Sequence, residues 1–140
     1  MTGGYSVTVR RDIAAPAEEL FDAWLDGPSL GTWFRPAGVR ETRAEIDPRV
    51  GGTFRIVMAH DETTVCSGTY GEIDRPRRLV FTWSSPDTRS RDTIVTVTFE
   101  PSPTGTVVEI HHTGLPDEQA RGGHYAGWSD ILRELGRTAQ

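Results

Sequence analysis

The sequence predicts an α+β fold: a seven-stranded antiparallel sheet wrapped around one long C-terminal helix, with two short helices after the first strand. Three observations predict it. Residues 40–113 are broken by turn residues at hairpin spacing. A helix-forming stretch opens at Pro16. A second opens at Pro116, runs for about twenty residues and carries His124, Tyr125 and Trp128, long enough to cross a small domain.

Taken in order, residues 5–12 alternate in polarity and read as the first strand. Pro16 suits a first helical position, Glu18 and Glu19 oppose the helix dipole, and Leu20, Phe21, Trp24 and Leu25 share a face until Gly27-Pro28 stops the helix. Residues 29–34 form a second short helix ending in Trp33-Phe34. Strand runs follow at 40–47, 52–60, 63–74, 77–84, 91–100 and 105–113. Pro48 with Gly51-Gly52, His60-Asp61-Glu62, Asp74-Arg75-Pro76, Ser85-Pro86-Asp87 and Pro101 to Gly105 separate them, which favours a meander over crossover units. In the last helix Pro116 with Asp117 and Glu118 marks the start, and Gly136 with Arg133 and Arg137 marks the end. A single curved sheet offers one face for that helix to cover, and the short helices plug the end of the groove.

Bulk properties narrow the function. A chain of 140 residues is the common size of one domain, here 1–140, and buries a core without a disulfide or metal staple. The net charge of -5, with 15 basic residues scattered among 20 acidic ones, lacks the clustered basic face that nucleic acid requires. All the basic residues are Arg. With no Lys there is no Schiff-base chemistry and no phosphate-loop lysine. Cys66 stands alone within a strand, so it reads as a core residue rather than as half of a disulfide or a metal knuckle. No stretch approaches the roughly 18 to 20 apolar residues that span a bilayer, and residues 1–5 have neither a basic nor an apolar character; the expectation is a cytoplasmic protein with no membrane partner, a monomer or weak dimer.

Several strings, in this order, carry a resemblance: Val50-Gly-Gly-Thr-Phe-Arg55, Gly68-Thr-Tyr-Gly-Glu-Ile-Asp-Arg-Pro76, Arg78-Leu-Val-Phe-Thr-Trp83, Val95-Thr-Val-Thr-Phe-Glu-Pro101, and the run from His112 through Leu115-Pro116-Asp117-Glu118 and His124 to Gly127-Trp128. Together they resemble the START-like (SRPBCC) superfamily, with its birch-pollen-allergen type of fold, and within it the activator of heat-shock-protein ATPase homologue-like family. The resemblance implies a helix-grip fold with a cavity between helix and sheet. It implies no shared catalytic set. Members are thought to bind small apolar or aromatic molecules, eukaryotic relatives act as co-chaperones, and the superfamily includes self-resistance proteins consumed by enediyne antibiotics.

Alternation gives the faces. Phe54, Ile56 and Met58 point toward the helix, as do Leu79, Phe81 and Trp83, then Val95, Val97 and Phe99, then Val108, Ile110 and His112, with Tyr70 less firmly placed. On the last helix His124, Trp128, Ile131 and Leu135 form a stripe flanked by Tyr125 and Leu132. Most of this set is core in any reading. The candidate cavity lining is Trp33, Phe54, Met58, Tyr70, Phe81, Trp83, His112, His124, Tyr125 and Trp128, because large rings leave gaps that a planar guest uses and their N–H or O–H groups orient it. His112 and His124 are either satisfied core histidines or ligand contacts. Neither a metal set nor a G-x-G phosphate loop is present, and no cofactor is expected. Gly122-Gly123, costly inside a helix, signal either a close approach to the sheet or a flexible gate. The expected function is non-catalytic binding of a small hydrophobic or aromatic molecule. The alternatives are a sacrificial antibiotic-resistance protein, a chaperone-ATPase regulator or stress protein with a chaperone as partner, and, as a minor option, a cyclase using His112 and His124 as acid and base.

Overall fold

Alternation along the first strand, β1 (Tyr5–Ile13), buries Val7, Val9 and Ile13 and leaves the residues between them in solvent. It is described by a computed structural model that covers residues 4–89 and 91–139. The chain continues through α1 (Ala17–Ala23) and α2 (Gly27–Trp33), then β2 (Glu41–Ile46), β3 (Thr53–Ala59), β4 (Thr63–Asp74) and β5 (Arg78–Trp83). A 3-10 turn (Pro86–Thr88), β6 (Thr93–Ser102), β7 (Gly105–Leu115) and α3 (Glu118–Thr138) complete it.

The seven strands form one antiparallel sheet in the order β1-β7-β6-β5-β4-β3-β2. From β2 to β7 each strand pairs with its successor. The one exception is β1, which pairs with β7, so α1 and α2 must carry the chain from one edge of the sheet to the other. This is the helix-grip arrangement that the order of elements implied.

The short helices are held by local chemistry. Asp26 caps α2, accepting the Ser29 N–H at 3.4 Å, with Pro28 in the first turn. Their apolar residues, Leu20, Phe21, Trp24, Leu30 and Trp33, are all buried, and the Phe21 ring meets Phe99 of β6 edge-on at 5.1 Å. At the centre of β4, Gly68 lies opposite Phe54. A Cβ there would fall 1.9 Å from the Thr82 carbonyl oxygen and 2.6 Å from the Phe54 ring, so only glycine lets that ring lie flat on the strand.

Helix boundaries differ from the sequence expectation at α3. Pro116 lies outside the helix. Asp117 is the cap, accepting the Ala120 N–H at 2.8 Å, and the helix runs through Gly136 to Thr138. The Gly136 position meets Arg11 and Ile13 of β1 at 3.5 and 3.7 Å, so packing on the sheet edge sustains the last turn that glycine would otherwise end. The inward faces are as the alternation indicated: Phe54, Ile56, Met58, Leu79, Phe81, Trp83, Val95, Val97, Phe99, Val108, Ile110 and His112 are buried, and His111 faces solvent.

Candidate functional site

Under α3, three side chains and one backbone carbonyl, from three strands and the helix, share a hydrogen-bonded relay. Trp128 Nε1–H donates to His112 Nδ1 at 3.0 Å. That nitrogen therefore carries no proton, and a neutral imidazole must carry its proton on Nε2. Nε2–H donates to Thr93 Oγ1 at 2.7 Å, and the Thr93 hydroxyl donates to the Trp83 carbonyl, also at 2.7 Å. Every donor meets an acceptor, with no exposed surface on His112. Burial, with lesser contributions from His124 and His111, lowers the His112 pKa from 6.5 to about 3. The ring is neutral and structural.

His124 sits across from it, ring centroids 4.8 Å apart and edge to face. Its Nδ1 faces the Ala120 carbonyl oxygen at 2.8 Å, which can only accept, so Nδ1 carries a proton. In the neutral ring Nε2 is then an acceptor, and among the described residues it has no hydrogen-bond partner. His124 borders a cavity of about 380 Å³ between α3 and the sheet.

The cavity has an aromatic floor and a polar rim. Phe34, Trp83 and Trp128 form the floor, with Trp83 and Trp128 centroids 5.1 Å apart and Phe34 edge-on to Trp128 at 5.8 Å. Met58 of β3, Cys66 of β4 and Ile131 of α3 add apolar wall. The Pro36–Val39 loop closes one side and is pinned to α3, Ala37 N–H donating to Asp130 at 2.9 Å. His60, Asp61 and Thr64 from the β3–β4 turn, with Ser85 and Asp87 after β5, supply the polar rim. Burial, and secondarily the Asp87 charge, push the Cys66 thiol up to about 12, so it stays protonated and inert.

Among the described residues, three buried polar side-chain atoms have no protein partner: Trp24 Nε1, Trp83 Nε1 and Ser85 Oγ. Two of those residues, Trp83 and Ser85, belong to the cavity wall. Orphaned buried donors are costly, and a bound guest is one way to offset them. Among the described residues no group of three or more His, Cys, Asp or Glu side chains is placed to hold a metal ion.

Of the ten candidate residues, Met58, Trp83, His124 and Trp128 line the cavity. Phe54, Tyr70 and Phe81 do not: they border a separate void of about 20 Å³, shared with Trp24 and with Leu30 of α2. Trp33 is sealed against Trp24, centroids 4.9 Å apart, with its Nε1–H satisfied by Ser29 Oγ at 3.2 Å. His112 lies behind Trp128, and Tyr125, one residue round the helix from His124, points to solvent at 55% exposure. The loop and turn residues went unpredicted because they follow no period. Gly123 and Gly127 also line the cavity, and a Cβ on either, or on Gly122, would meet nothing within 4 Å. Close approach to the sheet, one of the two readings of Gly122-Gly123, is therefore not their role; at 123 and 127 the missing side chains leave space.

Known proteins share this architecture. The family described as Activator of Hsp90 ATPase homolog 1-like protein matches residues 14–140. Protein CV1439 from Chromobacterium violaceum superposes with a TM-score of 0.84 at 26% identity, covering 96% of each chain. The AHSA1 protein SPO3351 from Silicibacter pomeroyi gives 0.77 at 26%, again over 96% of each. CalU16 from Micromonospora echinospora gives 0.76 at 26%, over 99% of this chain and 79% of its own. No curated protein sequence matches it.

Proposed function

The chain belongs to the Activator of Hsp90 ATPase homolog 1-like family, and from that premise we propose that it binds a small hydrophobic or aromatic molecule between α3 and the sheet, without catalysing a reaction on it. The observation that carries this reading is the cavity of about 380 Å³ with Phe34, Trp83 and Trp128 as its floor, within the size range of sites for drug-sized molecules. The groups that could do chemistry are poorly suited to it. His112 has both ring nitrogens committed, the Cys66 thiol is held protonated, and the histidine pair offers no free base with a neighbouring acid.

Titrating naphthalene, a neutral planar probe, into isotopically labelled protein tests the reading. Amide shifts at Gly123 and Gly127 and an indole N–H shift at Trp83 are the expected result. Saturating probe with no change at those three positions would overturn it.

The family description favours a second reading, regulation of a chaperone ATPase. It requires the chain to alter ATP turnover by the Hsp90-type chaperone of its own host, and unchanged turnover at saturating protein removes it. A third reading, sacrificial protection against a reactive antibiotic, draws only on Gly123 and Gly127 in the cavity wall. Intact mass after exposure to an enediyne distinguishes it, since a consumed protein is cleaved or modified and a passive binder is not.

A further inference from the structure

We propose that the cavity selects a cationic aromatic guest, a ring bearing a protonated amine, over the matching carboxylate; this rests on the reading that the cavity binds a small aromatic molecule. The wall contains no Arg, although every basic residue of the chain is Arg, while two carboxylates, Asp61 and Asp87, stand at its rim. They are not equivalent. Asp61 faces Arg40 at 3.5 Å, so its charge is partly offset. Asp87 makes no ion pair among the described residues, and its field reaches inward as far as the Cys66 thiol.

The turn that carries Asp87 is held from both sides. Thr88 Oγ1 accepts the Ser85 N–H at 3.0 Å, and Arg89, in the left-handed region at φ 56, donates to Asp117 at 2.6 Å. Asp117 is the cap of α3, so an exposed ion pair links the start of the helix to the Asp87 turn. Two residues before Asp87, Ser85 is only 7% exposed and its Oγ has no partner.

Of the other polar groups, His60 and Thr64 bond each other at 2.7 Å, and three more point to the same kind of guest. Ser85 Oγ accepts as readily as it donates, an imidazole at His124 with its proton on Nδ1 presents the Nε2 lone pair, and Asp87 only accepts. An ammonium brings three donors and no acceptor, whereas a carboxylate would add acceptors and like charge to this rim. Trp83 and Trp128 border the cavity, and an indole face there attracts a cation through the ring quadrupole and offers an anion nothing comparable. Trp83 Nε1, the orphaned indole donor of a wall residue, serves neutral and charged guests alike.

Calorimetric titration of the full chain with three matched probes, 1-naphthylmethylamine, 1-naphthalenemethanol and 1-naphthoic acid, decides the matter. The amine is expected to bind on the order of tenfold tighter than the alcohol, and the acid weakest of the three. Asp87→Asn, at an exposed position, should close the gap between amine and alcohol, whereas Glu100→Gln, on an exposed stretch of β6 outside the wall, should leave it. Binding of the acid as tight as the amine, or a gap that survives Asp87→Asn, overturns the proposal. Alcohol binding without charge preference removes this inference and keeps the parent reading; failure of all three probes to bind removes both.

Discussion

His112 has its tautomer dictated by its neighbours, and this decides what protonation would cost. A proton on Nδ1 would displace the Trp128 N–H and place a charge where no water reaches. The unfolded imidazole titrates near 6.5 and the folded one near 3. Between those values the unfolded chain binds the extra proton, so stability is full above about pH 6.5 and falls as pH drops, by up to about 1.4 kcal/mol per pH unit. Urea unfolding across that range should show the slope in the native chain and lose most of it in His112→Gln. Trp128→Phe keeps a ring but leaves Nδ1 unpartnered in the interior. It should cost about 1–3 kcal/mol at neutral pH, measured by the same unfolding experiment; no loss would mean that a water replaces the indole. The sequence reading left both histidines open between core and ligand contact because a residue pattern shows that a side chain faces inward, not whether its hydrogen bonds are spent. Geometry separates them: His112 is spent, and His124 keeps one nitrogen.

Beside the stripe that packs on the sheet, α3 carries glycines at 122, 123 and 127, each costing roughly 1 kcal/mol relative to Ala. Gly122 does not line the cavity, so Gly122→Ala should raise stability by about 0.5–1 kcal/mol in thermal unfolding and leave guest binding unchanged. Gly127→Leu adds a side chain to the cavity wall, and should abolish naphthalene binding in the titration while far-ultraviolet dichroism stays native. Strand faces were legible in the sequence because one face of the sheet is covered, which forces a period of two. Sealed rings such as Phe54, Tyr70 and Phe81 were legible as inward-facing for that reason, but not as separate from the cavity. A cavity is defined partly by atoms that are missing, and Gly123 and Gly127 give no apolar signal. Its rim comes from the 36–39 loop and from turns at 60–61 and 85–87, where no periodicity exists to read.

For the molecule as a whole, the apolar space between α3 and the sheet means that an aromatic guest couples helix to sheet through Trp83 and Trp128. A ligand that binds only the folded chain stabilises it by mass action, about 2.7 kcal/mol at a hundred times its Kd. The melting temperature should therefore rise with naphthylmethylamine concentration, and in Gly127→Leu it should stay flat. Among the described residues no helix is long and apolar enough to cross a membrane. The described fold also gathers every tryptophan of the chain, four in all, into one cluster: Trp24 meets Trp33 at 4.9 Å and Trp128 at 6.4 Å, and Trp128 meets Trp83 at 5.1 Å. At such spacing excitation migrates freely among indoles, and they emit as one chromophore. A guest that touches only Trp83 and Trp128 should darken the whole emission band, so the protein carries its own optical gauge of cavity occupancy.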